Sequence, residues 1–124
     1  MSELKGCYRV ALAALDTGGG VVGLANPEGV DLIVTKLIVV ISVVATAACT
    51  IDGGIAAGIT TTSDNLIDAA DVNGALGDFD NIDDAGSNGK ATQSWDSDEF
   101  LTISMKTGAA AGLAGYAYIE YIRA

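Results

Sequence analysis

The side chains able to do chemistry in this chain are carboxylates and two thiols, because histidine is missing from its 124 residues. That removes the Ser-His-Asp and Cys-His nucleophile systems at once. The densest group of acids is "DFDNIDDAG", residues 78–86, which offers Asp78, Asp80, Asp83 and Asp84 as candidate oxygen donors for a metal. A hard cation such as calcium takes several oxygens from a loop of this kind. The spacing departs from the EF-hand pattern, since Ile82 falls on a ligand position and no Glu closes the loop. The competing reading is an exposed turn whose Asp and Asn side chains bond their own backbone. No metal is expected, and these four are the candidates. Asp96, Asp98 and Glu99 form a second acidic group beside Trp95. A glycosidase would set two carboxyls across a cleft. Acids confined to loops give no such cleft, and the chain is expected not to be an enzyme.

Cys7 and Cys49 form no CxxC pair. They read as small buried hydrophobes, and sequence leaves a disulfide between them open. "GGGVVG", residues 18–23, matches G-x-G-x-x-G, but Pro27 arrives within about one helical turn and no acid stands at the distance a dinucleotide site needs. The glycines therefore read as a turn, and no cofactor is expected.

The net charge is −10, from sixteen acids and six bases. Nucleic acid is an unsuitable partner, because phosphate binding needs a basic face, and an anionic membrane is unsuitable for the same reason. Ten of the acids fall in residues 64–99 with Lys90 as their single base, while Lys5, Arg9 and Lys36 lie in the first 36 residues. The acidic loops should therefore point to solvent or a rim, and apolar strands should make the contacts.

The elements that position these groups are strands. The apolar run Leu37 to Cys49 has thirteen residues, short of the ~20 a membrane helix requires, and its β-branched side chains suit a pleated sheet. Period two over residues 32–46 puts Leu37, Val39, Ile41 and Val43 on a core face. It puts Leu32, Val34, Ile38 and Val40 on the opposite face, broken by Lys36 and Ser42. Further strands are expected at 6–14, in "VVGLAN", near 49–55, in "EFLTISMKT" and in "YAYIEYIRA". "SDNLIDAADV" could be one helical turn or a short strand. Arg9 interrupts the N-terminal apolar stretch, so no export signal is read and an intracellular origin is the default. The sum is an all-β chain: one antiparallel β-sandwich domain, residues 1–124, jelly-roll-like, with Gly-rich turns and an acidic loop region at 60–98. Residues 1–5 are expected to form an N-terminal arm.

Five motifs then stand together: Thr50 to Gly54, "TTSDNLIDAADV" at 61–72, "FDN" at 79–81, "NGK" at 88–90 and the closing Gly112 to Tyr121. The chain resembles small head decoration, or cement, proteins of tailed bacteriophages and prophages. The resemblance covers roughly the last 75 residues well and the first 45 only in general character. It implies a structural virion protein on the outer capsid surface, made in the host cytoplasm. Such a protein would stabilise the shell by bridging capsomers. It implies the major capsid protein and the chain itself, as a homotrimer, as partners. The interface candidates are Leu4, Tyr8, Leu32, Val34, Ile38, Val40, Tyr116 and Tyr118. The alternative is a host- or glycan-binding module of a phage tail or fibre, which would use exposed aromatics such as Trp95 or the Tyr116/Tyr118 face.

Overall fold

The computed structural model describes residues 4–124. It is all-β. The strands are β1 (Lys5–Ala11), β2 (Val22–Ala25), β3 (Leu32–Val43), β4 (Cys49–Ala56), β5 (Ile67–Asp71), β6 (Gly77–Asp80), β7 (Gln93–Trp95), β8 (Phe100–Gly108) and β9 (Ala114–Arg123). One sheet has the order β1-β9-β3-β6, with β7 also on β3, and the other has the order β2-β8-β4-β5. Every pairing is antiparallel. First pairs with last and second with last but one, as in a long hairpin rolled into two layers. This is the expected jelly-roll-like sandwich.

Between the layers the core is built from Val, Ile and Leu, with Trp95 as its largest fully buried side chain. Trp95 meets Tyr121 edge-on at 6.4 Å, and its indole N–H donates to the Glu99 carbonyl at 3.0 Å. It is therefore a core residue and not the exposed aromatic a glycan site would use. "SDNLIDAADV" resolves as strand β5. The polar region 60–98 holds three short strands, β5, β6 and β7, where one or two elements were expected.

Strict alternation fails along β3, and the failure is local. Val34 lies opposite Tyr121 and Lys36 opposite Glu120, so Thr35 is an extra residue, a bulge. Its hydroxyl donates to the Glu120 carbonyl at 3.2 Å. A bulge inverts the side-chain phase. Leu32 and Val34, expected on the far face as interface residues, are fully buried in the core. Leu37, Val39 and Ile41 are buried as expected. A second shift lies between Ile41 and Val43, and it turns Val43, expected inward, out to 52% exposure.

Strand β1 already begins at Lys5, and the Leu4 carbonyl accepts the Arg123 N–H at 2.7 Å, so these two residues are part of the sheet and not of an arm. Residues 1–3 of the expected arm lie outside the described residues. Cys7 is exposed on β1, against expectation, while Cys49 is buried on β4, and both are free thiols. No described helix is long and apolar enough to cross a membrane.

Candidate interaction surface

The two sheets differ in what covers their outer faces. On the sheet of β2, β8, β4 and β5, chain segments lie over the strands. Buried Thr102 donates its hydroxyl to the Thr61 carbonyl at 2.8 Å. Buried Ser104 accepts the Gly19 N–H at 2.8 Å. Gly19 sits at φ 66°, where its missing side chain lets it lie against the Ile59 carbonyl. Inward residues of β8 and outward residues of β8 are thus both buried.

Among the described residues, no segment lies over the outer face of the first sheet in this way. Residues paired across neighbouring strands share a face, so the register defines its rows. Arg9, Tyr118, Ile38 and Asp80 form one row, and Ala11, Tyr116, Val40 and Asp78 the next. Beyond the first row stand Cys7, Glu120 and Lys36, then Lys5, Ile122 and Ile33. Apolar side chains occupy the two middle strands, β9 and β3, except in the row where Glu120 and Lys36 stand side by side. Bases stand on β1 and acids on β6. The Arg9 guanidinium lies 4.7 Å above the centre of the Tyr116 ring, a cation–π contact that holds the charge along the face. Tyr116 is 41% exposed.

Of the expected interface residues, Ile38, Val40, Tyr116 and Tyr118 come together here. Leu32 and Val34 do not, for the reason given by the bulge. Tyr8 pairs with Ile119 on the inward side of β1, yet it is 39% exposed because β1 is the edge strand. Leu4 is 64% exposed just before β1. Among the lower rows a hollow of about 380 Å³ opens between Lys5, Cys7, Thr35 and Glu120.

Of the four candidate metal donors, Asp80 and Asp84 serve a turn. One Asp80 carboxylate oxygen accepts the Ile82 and Asp83 N–H groups, each at 2.8 Å. An Asp84 oxygen accepts the Asp80 N–H at 2.9 Å. These backbone bonds, that from Asp83 foremost, hold the Asp80 carboxyl below its usual range. The acids that do gather were not singled out from sequence. Asp52, Asp64 and Asp68 bring carboxylate oxygens within 4.8 Å of one another. The Lys106 ammonium already occupies that place, 2.7 Å from Asp68 and 3.9 Å from Asp52. Its hydrogen bond lowers the Asp68 pKa. Burial raises that of Asp52, although the Ala69 N–H donates to it at 2.8 Å. The arrangement is an ion-paired knot joining β4, β5 and β8. Lys106 alternates with Met105 in a recognisable strand, but only the pairing of β4 with β8 and β5 reveals which acids it meets.

Fold and surface together define an antiparallel β-sandwich with one sheet face left open. Comparison with family models, with curated proteins and with solved structures gives no match for this chain.

Proposed function

We propose that this chain is a structural protein of a tailed-phage particle that decorates the outside of the capsid, bridges capsomers of the major capsid protein and stabilises the shell. The motifs at residues 50–54, 61–72, 79–81, 88–90 and 112–121 support this reading by their resemblance to head decoration proteins. The observation that carries it is the open sheet face. In an acidic chain, one sheet face combines an apolar middle with balanced charge, which suits docking onto another protein. The rest of the strongly acidic surface keeps the particle exterior soluble.

Contacts that span capsomers must break before a shell opens, and bound protein stabilises the closed state by mass action. Deleting the coding sequence from its phage is therefore expected to leave heads that assemble but release DNA at lower temperature. Adding back the purified chain restores the parental temperature. Deleted heads as robust as parental ones overturn the proposal. Cryo-EM density at the tail tip instead of the shell overturns it in favour of a host- or glycan-binding module, for which Tyr116 is exposed and Tyr118 half-buried beside it.

A further inference from the structure

The open face is complementary to itself. Three of the six bases, Lys5, Arg9 and Lys36, and three of the sixteen acids, Asp78, Asp80 and Glu120, stand in its rows, while Arg123 at the end of β9 lies in register with the inward Leu32 and pairs with Glu28. Those rows are neutral, and the net charge of −10 is carried elsewhere on the chain. Two copies of so acidic a chain repel one another through other surfaces, and this is the face that can approach its own kind.

We propose that a second copy of the chain docks here, sheet face on sheet face, about a twofold axis parallel to the strands and passing between β9 and β3. A face that meets itself requires a twofold relation. The axis along the strands reverses the lateral order and keeps each row at its level. Arg9 then lies over Asp80 of the second copy, Glu120 over its Lys36, Tyr118 over its Ile38 and Tyr116 over its Val40. Each contact occurs twice. A twofold axis across the strands would instead set β1 on β1 and β6 on β6, with like charges opposed. A head-to-tail ring would join only the strand edges and leave the apolar middle uncovered. The homotrimer implied by resemblance does not use the face in this way.

The size of the face sets the strength. Four strands at ~4.8 Å spacing give roughly 500 Å² per copy, below the ~800 Å² of a standard interface. The pair is therefore weak and reversible. The pair uses the same face that the proposal above gives to the shell, so pairing and shell binding exclude one another, and its test involves the purified chain alone.

Sedimentation equilibrium of the full chain up to millimolar concentration should show a one-to-two chain equilibrium. Lys36→Glu brings like charges together and should weaken pairing about tenfold or more. The double variant Lys36→Glu/Glu120→Lys should restore it. Val40→Lys, which places a charge in the apolar middle on the side away from the core, should abolish it. Circular dichroism checks that each variant is folded. If Lys36→Glu does not fold, the Val40→Lys result decides. A single-chain mass at every concentration, a three-chain mass, folded variants that pair as well as wild type, or a folded double variant that fails to recover would each overturn the twofold pair. No shell takes part, so such a result leaves capsid decoration to its own test.

Discussion

Asn81 shows how much one side chain decides. It is buried, its carbonyl accepts the Leu37 N–H at 2.9 Å, and its amide donates to the Lys90 and Ala91 carbonyls at 3.0 Å each. It fixes the end of β6 to β3 and to the chain leading into β7. Asn65 acts similarly, accepting the Ile55 N–H at 2.9 Å and donating to the Ile55 carbonyl at 3.1 Å, as a strand residue would. Both lie in motifs that carry the phage resemblance, so those motifs have a structural reason to exist. Asn81→Ala leaves buried backbone groups unsatisfied and is expected to cost about 2–4 kcal/mol in urea unfolding. A loss below about 0.5 kcal/mol would show that water replaces the side chain. Ala69 is the one non-glycine among the described residues at positive φ, 61°. Ala69→Gly relieves that conformation and should gain about 0.5–1 kcal/mol by the same measurement.

At the scale of elements, β3 carries the argument. Its two bulges let one strand of twelve residues serve the core at Leu32 and Val34, again at Leu37, Val39 and Ile41, and still present Lys36, Ile38 and Val40 outward. The test is a pair of neighbours. Val39→Asp buries a charge without a partner and should cost several kcal/mol or prevent folding. Val40→Asp, one residue on, should cost less than about 1 kcal/mol. Equal effects in thermal unfolding would contradict the phase set by the bulge. On β1, Gly6 leaves room for the Tyr121 ring, whose atoms a side chain there would meet at 2.5 Å. That ring carries the Tyr121 hydroxyl to Glu28, to which it donates at 2.7 Å.

Over the whole molecule, charge makes stability depend on pH at both ends. Hydrogen bonds from Tyr121 and then Arg123 hold the Glu28 carboxyl below 4.5, and that from Lys106 holds Asp68 below 3.8. Their contributions are complete above those ordinary values and are lost as pH falls through the lower folded ones. Asp52 opposes this: its raised pKa, caused first by burial, means the ionised form is disfavoured on folding and relieved on acidification. At the alkaline end, burial and then the Glu28 bond push Tyr121 up to about 12. The Asp68 bond raises Lys106 above 10.5. Both contributions are present below the ordinary values and disappear as pH rises through the folded ones. Urea unfolding across pH should give a plateau between about pH 5 and about pH 9, where the Cys49 thiol, raised above 9.0 by burial, begins the alkaline fall. Glu28→Gln should lower that plateau and make the acid fall shallower, and Tyr121→Phe should remove part of the alkaline fall. An acid arm unchanged by Glu28→Gln would refute its assigned part.

The sequence by itself determined the class and the materials. β-branched runs, period-two alternation and glycine turns specify an antiparallel sandwich, and the alternation of "YAYIEYIRA" correctly turned Ala117, Ile119 and Tyr121 inward. These features are local, and short-range sterics set them. Tertiary structure decided what depends on a partner strand. An extra residue such as Thr35 is invisible until β9 lies beside it, so Leu32 and Val34 read as outward. Strands β6 and β7 are too short and polar to announce themselves and exist because β3 offers them a free edge. The exposure of Cys7 follows from the place of β1 in the sheet. The acids that gather, and the bases that share a face with their opposites, do so through pairings between residues far apart in the chain. Composition gives the net charge of −10, but only the stacking of strands could make one face neutral.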